Sequence, residues 1–166
     1  MKRKALFIAA LALVLLTVQV FGHDLFLKLD SFFVAANSKV TINILNGTFM
    51  ASEGAVNFAR LRDVSIVAPD GARTKPVEAN FTKNETTSFL SVDVKDAGTY
   101  VAGMSTMERE IDLEGKDFND YLSHDGIPDT LAERKERKEL DKKVRERYSK
   151  HVKAIFQAGD ARTDNF

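Results

Sequence analysis

Residues 96–102 read Asp-Ala-Gly-Thr-Tyr-Val-Ala, and this stretch decides the fold. Asp96 and Gly98 are turn formers, and Val101 and Ala102 begin an apolar run. Tyr100, between them, can bend its hydroxyl back onto the backbone of the corner it has just left. Upstream of the corner the hydrophobic pattern has a period of two. Leu25-Phe26-Leu27-Lys28-Leu29 predicts a first strand, followed by the apolar residues Phe32, Phe33 and Val34. Val40, Ile42 and Ile44 alternate with Thr41 and Asn43, so one face of that strand meets a core; Asn46-Gly47 ends it. Val64-Ser65-Ile66-Val67 is the next strand, closed by Pro69-Asp70-Gly71. Val77–Phe81 and Phe89–Val94 predict two more, with Lys83-Asn84-Glu85 as the turn between them.

Short strands at regular spacing, leading into a D-x-G-x-Y corner, predict a mainly β fold. The specific expectation is an immunoglobulin-like antiparallel β-sandwich with a two-helix insertion before the last strand. The insertion is read from a change of period. Phe118, Tyr121 and Leu122 fall at helical spacing, and His124-Asp125-Gly126 supplies a left-handed C-cap at Gly126. Thr130 and Glu133 have the spacing of a capping box for a second helix. Leu140, Val144 and Tyr148, four residues apart, predict that this helix runs on with a buried stripe. The mixed charges of residues 133–143 then form its solvated face, with i,i+4 pairs. Val152, Ile155 and Phe156 predict a returning strand.

The other end of the chain carries an address. Met1-Lys2-Arg3-Lys4 is basic, Ala5–Val20 is apolar apart from Thr17 and Gln19, and Val20-Phe21-Gly22 suits a signal peptidase. Residues 1–22 are therefore read as a signal peptide whose removal makes His23 the first residue of a periplasmic or secreted protein. The apolar run is shorter than the ~20 residues that span a bilayer, and no second such run follows, so no permanent membrane anchor is expected. The chain has no cysteine, which excludes disulfides, thiolate metal sites and thiol nucleophiles. It has 24 basic and 24 acidic residues; loss of Lys2, Arg3 and Lys4 leaves 21 against 24. That balance carries no footprint for nucleic acid. The domain organisation expected is signal peptide 1–22, β-sandwich 23–158 with a helical excursion over 114–150, and a C-terminal tail 159–166.

Two landmarks carry a family resemblance. The first is His23-Asp24 followed by SFFVAANSKVTINILNGT (31–48), and the second is GTYVAGM (98–104), KDFNDYLSHDGIPDTLAERKERKE (116–139) and RERYSKHVKAIFQAG (145–159). In this order they resemble the NikM-like periplasmic family, often labelled the periplasmic component of cobalt/nickel transport. The resemblance implies metal uptake, a membrane transporter or envelope protein as partner, and a second β domain after the returning strand. This chain stops at Asp164-Asn165-Phe166, where that domain would begin.

His23 is the sharpest candidate for a site. A histidine at a free N-terminus offers its α-amino and ring nitrogens to one ion, donors that suit Ni, Cu and Zn. An α-amino pKa near ~7.7–8.0 lets a metal displace the proton at neutral pH. Asp24 is the expected oxygen ligand, with Asp30 as another carboxylate in reach of the same argument. His124 is read as complementing a helix dipole and His151 as solvated or capping. Asp112, Glu114, Asp117, Asp120 and Asp125 form an acidic cluster without the spacing of a Ca²⁺ loop. There is no G-x-S-x-G, no phosphate-binding glycine loop and no H-E-x-x-H, so no enzyme is expected. The function expected is binding or delivery of a Ni, Co or Cu ion. The alternative is an immunoglobulin-like envelope module that binds a protein or glycan, with the charged helix as its contact.

Overall fold

The computed structural model describes residues 24–160. His23, the rest of the expected signal peptide and residues 161–166 lie outside the described residues. The order of elements is β1 (Asp24–Lys28), β2 (Phe33–Val34), β3 (Ser38–Gly47), β4 (Leu61–Val67), β5 (Arg73–Thr74), β6 (Phe81–Lys83), β7 (Ser88–Val94), β8 (Gly98–Thr106) and β9 (Arg109–Leu113). Then come α1 (Gly115–His124), α2 (Pro128–Glu136), β10 (Val144–Tyr148) and β11 (His151–Ala158). The chain is mainly β, as expected. A four-stranded sheet runs β1-β3-β7-β6, a five-stranded sheet runs β2-β11-β8-β4-β5, and β9 pairs with β10 alone. All pairings are antiparallel except the short β2–β11 contact.

The inner faces of the two larger sheets share one core. Leu25, Leu27, Val40, Ile42, Ile44, Leu90 and Val92 come from one sheet; Val64, Ile66, Tyr100, Ala102, Met104 and Phe156 come from the other. The alternation legible along β3 is the physical cause, since every second side chain is driven to the same face. A fully buried side chain such as Ile42 contributes about 2 kcal/mol of hydrophobic stabilisation. Tyr100 stacks on Phe156 with ring centroids 5.3 Å apart. Its hydroxyl donates to the Asp96 carbonyl at 3.1 Å and accepts from the Asp96 and Lys95 amides at 3.1 and 3.3 Å, closing the corner read from residues 96–102.

Three local expectations are corrected. Val77–Phe81 is not a strand, because Asn80 Oδ1 accepts from the Val77 amide at 2.9 Å and winds Glu78–Asn80 into a 3₁₀ turn; the strand begins at Phe81. The second helix starts at Pro128 rather than after a Thr130 cap, with Pro at its first turn and no side-chain cap. It also ends at Glu136, with Lys138 in the left-handed region at φ 56°. Val144 and Tyr148 belong to a strand, and the stripe Leu140–Val144–Tyr148 does not form. A recurrence of four fits two strand repeats as well as one helical turn, so spacing alone could not separate them. The first helix does end as read: Gly126 is left-handed at φ 69°, and the Ile127 amide donates to the Leu122 carbonyl at 2.9 Å.

Because β8 leads into β9 and β10 leads into β11, the two pairs form one long hairpin, and the helices sit at its tip. One face of the β9–β10 ribbon is an ion-pair ladder. Arg147 bonds Glu110 at 2.7 Å, Arg145 bonds Asp112 at 2.8 Å and Lys143 bonds Glu114 at 2.6 Å.

Candidate functional site

Asp24 opens β1, where its backbone pairs with Gly47 and its side chain is exposed. The expected first ligand, His23, lies outside the described residues. Around Asp24 the fold gathers groups from distant parts of the sequence. The Tyr121 hydroxyl, on α1, has its pKa raised first by burial and then by the negative charges of Glu146, Asp125 and Asp24. Lys150, just before β11, has its pKa lowered by burial, with the Asp24 carboxylate acting against that shift. The charges of Asp24 on β1, Asp125 at the end of α1 and Glu146 on β10 thus all act on the one phenol.

The remaining candidates are dispersed. Asp30 lies at the far end of β1, about 20 Å of strand away, and its Oδ1 accepts from Asn43 Nδ2 at 3.4 Å. His124 is exposed at the end of α1 with Nδ1 2.8 Å from the Asp120 carbonyl. His151 is exposed at the start of β11 with Nε2 3.0 Å from Ser149 Oγ. Three members of the acidic cluster are held by cations: Asp112 by Arg145, Glu114 by Lys143 and Asp120 by Lys116. Among the described residues, no three histidine, aspartate or glutamate side chains come together as a metal-ligand set.

Two features escaped the reading of residues 108–147. The ladder was visible in the sequence: Glu108, Glu110, Asp112 and Glu114 alternate, as do Lys143, Arg145 and Arg147, so two period-two runs of opposite sign face each other. Arg134 was not visible. Read as part of a solvated helix face, it is buried instead, with 9% of its surface exposed. Its Nε donates to Asn119 Oδ1 at 2.9 Å, one terminal nitrogen donates to the Glu139 and Lys142 carbonyls at 2.7 and 3.2 Å, and the guanidinium lies 5.1 Å from the Phe118 ring centroid. Neighbouring pairs keep the expected spacing, as in Arg137–Glu133 at 3.0 Å.

Residues 20–166 match the DUF4198 family, "Domain of unknown function". No curated protein and no solved structure matches the chain. With the match covering all the described residues, the chain belongs to the DUF4198 family.

Proposed function

We propose that the protein is an exported, periplasmic or secreted metal-capture protein, which binds a Ni, Co or Cu ion at its mature N-terminus and works without covalent chemistry. His23 supplies the α-amino and imidazole nitrogens and Asp24 a carboxylate oxygen. The observation that carries this reading is Asp24 itself, exposed at the start of β1 and next in sequence to the expected N-terminal histidine. An exposed carboxylate there adds one oxygen donor to the two nitrogens of the chelate. The NikM-like resemblance of the two landmarks supports the same class of cargo and, as partner, a membrane transporter or envelope protein.

The scaffold belongs to the proposal as an immunoglobulin-like domain. The strand orders β1-β3-β7-β6 and β11-β8-β4 follow the A-B-E-D and G-F-C orders of that sandwich. Ala102, two residues after the corner tyrosine, stands where antibody domains carry their second disulfide cysteine. In this frame the helices elaborate the hairpin between the last two strands.

Isothermal titration of the processed protein with Ni²⁺ and Cu²⁺ tests the site. The chain beginning at His23 binds more tightly than one carrying a single extra N-terminal residue, and Asp24→Asn weakens binding further. Equal affinities of the native and extended chains refute the chelate.

A further inference from the structure

We infer that the outer face of the five-stranded sheet docks an acidic, partly apolar surface of another protein. The registers put Ile155, Val101 and Val67 in one row across β11, β8 and β4, pointing away from the core. Phe33, on β2, joins the same face beside Gln157. Ile155 is 53% and Phe33 76% exposed, a high exposure for large apolar side chains. Phe33 is also held in place: Ser31 Oγ donates to its carbonyl at 2.7 Å and accepts from its amide at 3.1 Å. At the middle of the face, Gly103 leaves open space where a side chain from another surface can enter.

The four-stranded sheet is finished differently. Its outer face carries Lys39, Thr41, Ser91 and Asp93, and Phe49 folds over Phe26 with ring centroids 5.6 Å apart. The chain thus covers an aromatic on one sheet with its own loop and leaves the apolar row of the other open among the described residues.

Charge identifies the occupant. Asp63 is the one carboxylate pointing outwards from these five strands, and it is held by Arg73 at 2.7 Å and Lys75 at 2.9 Å. Lys153 stands beside Gly103, and His151 lies further along the same strand. Arg73, Lys75 and Lys153 against Asp63 leave this face two positive charges in excess without counting His151, so two copies placed face to face repel and an acidic partner is attracted. Five strands of this length offer about 500 Å² a side, the scale of a weak, transient complex.

The test places a photo-crosslinking residue at Ile155, with Thr41 on the opposite sheet as control, in the full chain expressed in its own cells. Captured proteins are identified by mass spectrometry, and the purified partner is then titrated against the purified chain. The expected result is an adduct at 155 but not at 41, to a segment rich in Asp and Glu. Binding of that partner weakens at least tenfold in Lys153→Glu, is unchanged in Lys153→Arg, and falls as salt rises. The inference is overturned by no adduct at 155, by the same adduct at both positions, by an adduct to a second copy of this chain, by a captured segment without acidic residues, or by a Lys153→Glu variant that binds normally.

Discussion

Replacing Arg134 by Met tests how the hairpin tip is held together. The methionine keeps much of the buried volume but removes three hydrogen bonds, leaving Asn119 Oδ1 and the Lys142 carbonyl without this donor while the Glu139 carbonyl keeps the Lys142 amide at 3.0 Å. Each bond from a charged donor contributes about 1.5–3 kcal/mol, so the gross loss is about 5–9 kcal/mol. Part is recovered, because the substitution also removes a buried charge and water can reach the edge of the tip. The net expectation is a loss of about 3–5 kcal/mol, since each buried acceptor left unpaired costs about 1–3 kcal/mol. Asn119 transmits the effect, since its amide also donates to the Leu140 carbonyl at 2.9 Å. Arg134→Lys keeps the charge but not the planar fork, and falls between wild type and Met. The assay is amide hydrogen exchange over residues 115–143 together with thermal unfolding by circular dichroism. Exchange in that segment accelerates on the order of a hundredfold or more, and if the tip unfolds together with the sandwich the Tm drops by roughly 10 °C. Unchanged exchange at 139–142 with an unchanged Tm would show that the guanidinium is not the fastener.

Gly115→Ala destabilises the same tip by about 3 kcal/mol despite alanine's better helix propensity. An added Cβ would lie 2.3 Å from the Leu140 carbonyl oxygen and 2.9 Å from that of Lys142; denaturant titration reads the loss. Tyr100→Phe costs about 1–2 kcal/mol by opening the 95–96 corner, seen as a lower urea midpoint with an unchanged slope. Acid weakens the β4–β5 edge through Asp63, whose carboxyl is lowered from 3.8 to about 2, first by the Ser65 hydroxyl and then by Lys75 and Arg73. A carboxyl with a depressed folded pKa stabilises fully above 3.8, and that contribution fades as pH falls through 2. The Tm gap between wild type and Asp63→Asn is therefore open at pH 6 and nearly closed at pH 2, and a gap that persists at pH 2 contradicts the assignment. Reversing one rung of the ribbon with Arg145→Glu lowers the Tm only slightly, because Arg145 and Asp112 are both well exposed; restoring the pair as Arg145→Glu with Asp112→Arg recovers it at low salt.

The sandwich was legible because its causes are local. Val40, Ile42 and Ile44 announce one buried face by alternation alone, Tyr100 announces a corner through its spacing from Asp96 and Gly98, and Gly126 announces a helix end that needs a positive φ. The hairpin tip was not legible in the same way. Val144 and Tyr148 satisfy two periodicities, and only pairing with β9 decides between them. Arg134 sits in a run of charges that reads as solvent-facing, and what makes it interior is the position of two carbonyls five and eight residues on, brought round by the turn after α2.

The candidate site divides along the same line. His23 and Asp24 are adjacent in the chain, so their shared chemistry can be read from the sequence. Tyr121 and Lys150 feel the Asp24 charge only through the fold, because they lie far from it along the chain. Sequence by itself determined the β class and the corner, since period and turn chemistry belong to short segments. Tertiary structure alone decided which charges are spent on one another, which one is buried and which sheet face stays open. Those outcomes depend on contacts between residues far apart along the chain, and no local pattern records them.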